Sequence, residues 1–511
     1  MLKFFKKIIL FLIPSLILLF LAYKYFQQSV SFSFVDEYDN FIAAYFMLGG
    51  KKLFTEIFHN RQFGPVYLSY LIQLISHPNS LYQLIMFHRV FVILFSFMFA
   101  TLLSIRFGLI AILFALLYEP IKFYFHGNLF LGESLIVYPL IYLFFLIFDD
   151  KKKEFRLDYI LVAIFFWFTC FMREPYIPLV SFLFVLYSVR LKKIATSKWT
   201  LSIILFLTIL SLIGVNLKEY FFQLLQVNSN RIFIDKTESI NSINLLKSFF
   251  YPFTVFFGGA WNYFRFITIV YSITVIALST LVFKTTKKYW IILTIFTILG
   301  LAAIRPNEAG KVFYGMYRMS IWYGFMIASV LILFKYLLNN KKISYFMTVG
   351  LLLILFIISY WPSSFIYKKI NREEMFNISY NRYFVNGEVV KTLSNPGDTL
   401  FVDGYESLIF WQAKIPSPYK YTLYYPVMKG IDRFDKERVN VLKNITPAFY
   451  FTDCNLKKIN PIPSVIKLNY RQFLYIVNNE ETCLYVNKNK ITKEFITKLK
   501  KVEKFNYKLM D

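Results

Sequence analysis

Long apolar runs separated by short basic connections dominate the chain from its start to about Trp361. Most of these runs approach the length of about 20 residues that a helix needs to cross the hydrocarbon core of a bilayer. The pattern predicts a helical membrane domain over residues 1–361 with about eleven transmembrane helices. The predicted spans cover residues 8–27, 86–104, 107–120, 134–148, 157–172, 176–190, 200–217, 264–283, 289–304, 318–337 and 344–361.

The basic connections predict the orientation of these spans. "DDKKKEFR", "VRLKKIATSK", "KTTKKYW" and "KYLLNNKK" stand on alternate connections, and the chain begins "MLKFFKK". Cytoplasmic loops are enriched in Lys and Arg, so we expect these segments and the N-terminus in the cytoplasm. This parity requires that Phe63–Ile75, which at about 13 residues is too short to span, lies along the interface as a helix. The first run has no small-residue cleavage site and is predicted to be a retained span.

From about Pro362 the chain turns polar, and residues 362–511 are predicted to form a small α/β domain outside the cytoplasm. The segments "TLFVD", "AFYFTD", "FLYIV" and "TCLYV" are predicted strands, and "GYESLIFWQA" leads into a predicted helix. The Lys-rich tail after Ile491 is predicted to be an amphipathic surface helix. The outer loop 28–85 is assigned to the membrane domain.

Composition agrees with a membrane protein. Hydrophobic residues make up 57% of the 511 residues, and the mean hydropathy is +0.51, which excludes a water-soluble fold. The formal charge of +27 does not indicate nucleic acid binding, because the cations cluster between apolar runs. Because spacing alone cannot establish a pairing, three free thiols at Cys170, Cys454 and Cys483 are favoured, and a Cys454–Cys483 disulfide stays open.

Three acidic residues, Asp36, Glu37 and Asp39, follow the first span on the predicted outer side. Asp39 is interpreted as a solvated loop residue. Asp36 and Glu37 precede "FIAAYFMLGG", which is apolar enough to lie on the membrane surface as a helix. They are therefore candidates to accept a proton from an acceptor hydroxyl at a membrane-facing cleft. Glu133, where the fourth span begins, is either a functional carboxylate or a helix cap.

Basic residues are the second group of candidates on the predicted outer side. Arg89 starts the second span, and Arg173 with Glu174 ends the fifth. The loop before the tenth span contributes Arg305, Lys311 and Arg318, interleaved with Tyr314 and Tyr317. Such residues either anchor spans at the interface or hold a phosphate, whose oxygens Arg binds bidentately. Carboxylates beside phosphate-binding cations at a lipid boundary favour transfer of a group from a lipid phosphate.

The stretch "FVDEYDNFIAAYFMLGGKKLFTEIFHNRQFGPVYLSYLIQLI" resembles the first outer loop of the GT-C fold glycosyltransferases. In particular, it resembles this loop in bacterial relatives of dolichyl-phosphate-mannose protein mannosyltransferases and of the lipid A aminoarabinose transferase. The matching elements are Asp36-Glu37, the segment from Ala44 to Phe58, and Pro65 to Leu71. Arg89, Glu133, "KVFYGMYRMSIWYG" and "GDTLFVDGYESLIFWQAKIPSPYKY" continue the resemblance. "RQFGP" replaces the commoner Lys-x-Pro or His-x-Pro, and the late loop has no His.

The resemblance implies a sugar donor linked to a polyprenyl phosphate, undecaprenyl phosphate in a bacterial inner or plasma membrane, and transfer with inversion on the outer face. Asp36 would be the general base or would help to organise the acceptor, and Arg89, Arg305 and Arg318 would be candidates to hold the donor phosphate. His59 and Arg61 are expected to support the acceptor or the loop. Some relatives bind a divalent metal near the first acidic residue, although no closed ligand set occurs in this sequence.

The acceptor expected from this resemblance is a lipid, a glycan or a protein. Two alternatives remain: a transporter or flippase of lipid-linked sugars, and a non-catalytic protein of glycan assembly. Transporters usually carry polar residues at the bilayer midplane. The charges here gather at the outer ends of the predicted spans, which favours an enzyme at the interface.

Overall fold

The computed structural model describes residues 2–149, 157–191, 194–228, 263–303, 317–361, 369–452, 462–475 and 481–510. This part of the chain is mostly helical and divides into two compact units. The first unit comprises Met1–Ser29, Arg89–Ile213 and Ser239–Ile370, and the second comprises Val30–His88, Gly214–Glu238 and Asn371–Asp511.

The helices are numbered in chain order over these described residues. They are α1 (Leu2–Gln27), α2 (Val35–Leu48), α3 (Gly64–Ser76), α4 (Leu81–Phe107), α5 (Leu109–Tyr124), α6 (Gly132–Ile147), α7 (Asp158–Met172), α8 (Ile177–Leu191), α9 (Ile194–Leu212), α10 (Leu217–Phe221), α11 (Tyr263–Thr286), α12 (Tyr289–Ala302), α13 (Met319–Asn339), α14 (Tyr345–Tyr360), α15 (Arg372–Leu393), α16 (Leu408–Ala413), α17 (Asp432–Asn440), α18 (Ser464–Asn469) and α19 (Lys493–Val502).

The first unit is a bundle of apolar helices, and most predicted spans overlap one helix of the structure, although the run 200–217 is interrupted after Leu212. Its centre is α6, which is buried along its whole length and packs against α7, α8 and α13. A helix that is apolar all round must be buried in protein or lipid, and α6 and α13 are covered by protein.

Three described helices are long and apolar enough to cross a membrane: Leu81–Phe107, Arg265–Thr286 and Met319–Asn339. The number rises to four if one interrupted helix pair, Lys198–Leu212 with Leu217–Val227, is a single span. Shorter apolar helices of 10–17 residues, such as Tyr289–Ala302, also occur in the described ranges. The chain is thus an integral membrane protein by these helices, while the count of eleven spans stays a prediction.

The second unit contains α2, α3, α10, α15 to α19 and a five-stranded sheet. The strands are β1 (Leu400–Asp403), β2 (Phe449–Thr452), β3 (Tyr470–Tyr475), β4 (Glu481–Asn487) and β5 (Tyr507–Leu509). Their order is β1-β2-β4-β3-β5, with β1 and β2 parallel and the other neighbours antiparallel. The four strands predicted from the sequence are present, but the tail is helical only to Val502 and then forms β5.

The outer loop groups with the C-terminal region in this second unit, unlike the sequence-based division at residue 361. Two hydrogen bonds join the backbone of Phe32 to α15: its N–H donates to Ser379 Oγ at 2.9 Å, and its carbonyl accepts from Tyr380 Oη at 2.9 Å. Further along, the N–H of Phe58 donates to the carbonyl of Tyr421 at 3.2 Å. Residues far apart in the chain therefore form one body.

The cysteines also differ from the favoured interpretation. Cys170 is free, but the buried Cys483 forms a disulfide. The expectation of three free thiols is therefore wrong at Cys483. Cys454 lies outside the described residues.

Candidate active site

The acidic pair of the outer loop opens helix α2. Phe34 caps the helix in an extended conformation, so that Asp36 and Glu37 lie in the first turn. Backbone N–H groups of a first turn have no partner inside the helix, and the helix dipole favours negative charge there. Glu37 is completely buried, whereas the side chain of Asp36 keeps 25% of its surface exposed. Asp36 is therefore the more accessible carboxylate of the pair.

Arg61 joins the acidic residues of α2. Its Nη2 lies 2.6 Å from Asp36 Oδ1 and 3.6 Å from Asp39 Oδ2, and its Nη1 donates to the backbone carbonyl of Asp36 at 3.2 Å. Asp36 and Asp39 are three positions apart in a helix, so their side chains share a face. Arg61 and the two aspartates therefore form one cluster of ion pairs at the start of α2.

Asp39 is not a solvated loop residue, and that interpretation was wrong. It lies inside α2, its side chain is 11% exposed, and its Oδ1 accepts a hydrogen bond of 2.5 Å from Tyr425 Oη. Burial and the carboxylate of Asp39 raise the pKa of Tyr425 well above its ordinary value of 10. The phenol therefore stays protonated and remains a donor at physiological pH.

His59 is buried in the loop that leads to α3. Its backbone N–H donates to Gln223 Oε1 at 2.9 Å, and its Nε2 lies 3.2 Å from the carbonyl of Gln62. Gln223 also donates to the carbonyl of Phe54 at 2.5 Å, and Tyr220 donates to Gln62 Oε1 at 2.7 Å. These hydrogen bonds join the loop to residues 217–228, so that His59 helps to hold the loop in place.

In the first unit, the structure pairs Glu133 with Arg173. Glu133 lies in the first turn of α6, and its Oε1 accepts from Arg173 Nε at 2.6 Å. Both side chains are almost fully buried, and Glu174 Oε1 lies 3.9 Å from Arg173 Nη1. The guanidinium of Arg173 is therefore already paired with carboxylates, which leaves it fewer N–H donors for a phosphate.

Gly132 sets the distance between the helices that carry this ion pair. A Cβ at residue 132 would lie 2.6 Å from the carbonyl oxygen of Met172, which is the last residue of α7. Only a glycine allows this approach of the start of α6 to the end of α7. The close approach brings Glu133 within reach of Arg173.

The other predicted phosphate ligands are partly described. Arg318 Nε donates to Tyr317 Oη at 3.1 Å, and its backbone carbonyl lies 3.5 Å from Tyr176 Oη. Arg89 is buried in α4, where its Nη1 lies 3.5 Å from the carbonyl of Ser29. Arg305, Lys311 and Tyr314 lie outside the described residues.

A buried charge pair in α5 is not among the candidates from the sequence. Lys122 Nζ lies 3.6 Å from Glu119 Oε2 and donates to Ser96 Oγ at 2.5 Å, while Tyr138 Oη donates to Glu119 Oε1 at 2.5 Å. The spacing i, i+3 of an acid and a base in an apolar helix was the available signal. The predicted span 107–120 ends between Glu119 and Lys122, so they were not predicted to form a pair.

The carboxylates do not form a metal centre in the part of the chain that the structure describes. No group of three or more His, Cys, Asp or Glu residues suited to a metal ion occurs in these ranges. Asp36 and Asp39 share one guanidinium, which occupies the place that a cation would take. The described residues therefore do not fit a divalent ion.

Comparison with known proteins gives structural similarity without sequence similarity. No protein-family model and no curated protein sequence matches the chain. The structure is similar to a crystal structure of ArnT from Cupriavidus metallidurans in the apo state, with a TM-score of 0.45 and 9% identity over 95% of this chain and 98% of that one. It is also similar to the archaeal oligosaccharyltransferase AglB from Archaeoglobus fulgidus, in complex with an inhibitory peptide and a dolichol-phosphate, with a TM-score of 0.41 and 10% identity over 94% and 74% of the two chains. At these values, the assignment of the site rests on the side-chain geometry of the described residues.

Proposed function

We propose that the protein is a membrane glycosyltransferase of the GT-C type. In this proposal it transfers a sugar from a polyprenyl-phosphate-linked donor, undecaprenyl phosphate in a bacterium, to a hydroxyl of a lipid, glycan or protein. The reaction takes place on the outer face of the membrane and inverts the anomeric carbon. The observation that carries the proposal is the partly exposed carboxylate of Asp36, oriented by Arg61 at 2.6 Å.

In the proposed reaction the acceptor hydroxyl displaces the lipid phosphate from the sugar. The acceptor oxygen bonds to the anomeric carbon, the bond from that carbon to the donor phosphate oxygen breaks, and Asp36 takes the hydroxyl proton. An arginine-paired carboxylate is a weak base, but the hydroxyl becomes acidic as its oxygen forms the new bond. The leaving polyprenyl phosphate gains charge that a nearby cation can stabilise. The candidates for this cation are the arginines predicted from the sequence, Arg89, Arg305 and Arg318.

The experiment follows label from radiolabelled polyprenyl-phosphate sugars into acceptors present in membranes that contain the full-length protein. We expect Asp36→Asn to lower the initial rate at least about 100-fold, in the range of a lost general base. Asp432→Asn is the matched control, because Asp432 is an exposed carboxylate at the start of α17 in the same unit. A normal rate in the Asp36 variant would contradict the proposal.

A transporter of lipid-linked sugars is the second candidate, and the buried Glu119–Lys122 pair favours it. Ionisable groups buried in an apolar helix mark many transport pathways. Detergent-solubilised protein distinguishes the two functions, because transport needs two compartments whereas sugar transfer does not. Label transfer in detergent supports the enzyme, and its absence in detergent with flux in sealed vesicles supports the transporter.

The sidedness of the proposal has a separate test. Reporter fusions after Lys152 and after Tyr380 should report the cytoplasm and the exterior, respectively, because the Lys-rich connections are expected inside. The opposite pair of signals would place the C-terminal region in the cytoplasm and would remove the outer-face site.

A further inference from the structure

The C-terminal region of the second unit reaches the acidic face of α2 through one side chain. Tyr425 is buried, and its Oη donates to Asp39 Oδ1 although the two residues are 386 positions apart. The other oxygen of Asp39, Oδ2, faces Arg61 Nη2 at 3.6 Å. The same Nη2 atom is held by Asp36 Oδ1 at the shorter distance of 2.6 Å. A chain of polar contacts therefore runs from Tyr425 to Asp36.

We propose that Tyr425 is a positioning residue that acts on Asp36 through Asp39 and Arg61. This inference rests on the proposed function, because it assigns Asp36 the role of the base. It gives the C-terminal region a part in catalysis that its sequence does not indicate. Neither Tyr425 nor Asp39 touches the acceptor in this proposal.

The two carboxylate oxygens of Asp39 have different partners. Because Tyr425 occupies Oδ1, Asp39 presents mainly Oδ2 to the guanidinium, and the guanidinium lies closer to Asp36. A carboxylate with both oxygens available binds arginine bidentately, which is the stronger geometry. Loss of the tyrosine hydroxyl would therefore let Asp39 draw Arg61 away from Asp36.

The tyrosine is well placed to fix this geometry. Its ring packs against Phe58, with 5.5 Å between ring centres, and against Tyr405, with 5.6 Å. Phe58 is held in turn by the backbone hydrogen bond to Tyr421. An immobilised donor can define the position of an acceptor, whereas an exposed tyrosine would move with it.

The test compares two adjacent tyrosines. Tyr424 Oη donates to Asp435 Oδ1 at 2.5 Å, so that Tyr424→Phe removes the same type of bond from the same region but leaves α2 alone. In the label-transfer assay we expect Tyr425→Phe to lower kcat about 10-fold, since a small displacement of a reacting group has a large effect on rate. The KM for the donor should change less than about twofold, because ground-state binding is retained. Tyr424→Phe should leave both constants near those of the unchanged protein.

A double-mutant cycle tests the path through Asp39. Once Asp39→Asn has removed the carboxylate that the tyrosine holds, adding Tyr425→Phe should lower kcat no further. Equal kcat values for the Tyr424 and Tyr425 variants would overturn the inference, and so would additive effects in the cycle. If Asp36→Asn is inactive while Tyr425→Phe is normal, only this inference fails; if Asp36→Asn is fully active, the proposed function fails as well. Size-exclusion profiles in detergent confirm that each variant folds.

Discussion

Arg61 holds two carboxylates of one helix at unequal distances, 2.6 Å to Asp36 and 3.6 Å to Asp39. Two such ion pairs on an exposed surface would contribute little to stability. Here the guanidinium also donates to the backbone carbonyl of Asp36, so that it fixes the start of α2 as well as the side chain. The main consequence of this arrangement is that the Asp36 side chain is held in position, and its contribution to the stability of the protein is secondary.

We therefore expect Arg61→Lys to lose activity although it keeps the positive charge. A lysine offers one point of charge and cannot reach both the side chain and the carbonyl of Asp36 in the planar fork of arginine. The rate of sugar transfer should fall about 10-fold in the lysine variant and further in Arg61→Ala, as expected for a misplaced catalytic group. Initial rates at saturating donor measure this, and Arg471→Lys on β3 is the control. A lysine variant with the normal rate would show that charge alone matters at this position.

The buried pair of Glu133 and Arg173 allows a test of stability. Removing one partner of a buried ion pair leaves an uncompensated charge, at a cost of about 3–5 kcal/mol. We expect Arg173→Met to lower the apparent melting temperature of the protein in detergent strongly. The double variant Glu133→Gln with Arg173→Met should recover most of the loss, because it removes both charges.

The same double variant separates structure from chemistry at Glu133. If the carboxylate takes part in sugar transfer, the recovered protein is stable but inactive in the label-transfer assay. If Glu133 only holds α6 against α7, the double variant is both stable and active. Circular dichroism of the purified variants establishes that the comparison is made between folded proteins.

The positions of the helices could be predicted from the sequence because apolar length is a local property. Phe63–Ile75, chosen as a helix too short to span, is Gly64–Ser76 in the structure. The surface helix that was predicted to begin at Phe41 begins six residues earlier, at Val35. Asp36 and Asp39 therefore lie inside the helix and are neighbours on one face. Had the predicted helix included the acidic residues before Phe41, helical spacing would have placed Asp39 on the same face as Asp36.

Partners across the chain could not be predicted in this way. The contact of Tyr425 with Asp39 and that of Arg433 with Glu219 depend on how distant segments pack, and a single sequence holds no local signal for them. Strand β5 has only three residues and follows a helix that ends at Val502. Three residues are too few for the alternation of apolar and polar positions that indicates a strand.

Lys414 offers a prediction on pH dependence in the second unit. Its Nζ lies 3.5 Å from the ring centre of Trp411 and 4.9 Å from that of Tyr45. Burial, and then the charge of Lys391, lower the pKa of Lys414 to about 8. Roughly half of its amines are therefore neutral at pH 8, compared with under about 1% for an ordinary lysine.

Only the neutral amine reacts with acylating reagents, so Lys414 should be labelled early. We expect the labelling rate of Lys414 to rise with pH and to reach half of its maximum near pH 8. Peptide mass spectrometry after brief acylation gives the rate at each lysine, and Lys436, whose side chain is 80% exposed, is the reference. Equal rates at the two lysines across pH 7 to about 9 would contradict the lowered pKa.

Gly132 gives the most direct test of how α6 is seated. In Gly132→Ala the new methyl group would lie 2.6 Å from the backbone oxygen of Met172, which cannot rotate away as a side chain could. The helix ends must separate, and we expect a loss of about 1–3 kcal/mol, the usual cost of overpacking. Gly350→Ala in α14 is the matched control, because a Cβ there meets nothing within 4 Å and alanine favours a helix. Melting temperatures in detergent should fall for residue 132 and hold or rise for residue 350. Since Glu133 moves with the start of α6, activity should fall in Gly132→Ala alone. Equal melting temperatures and activities of the two variants would show that α6 and α7 approach each other less closely than the distance of 2.6 Å implies.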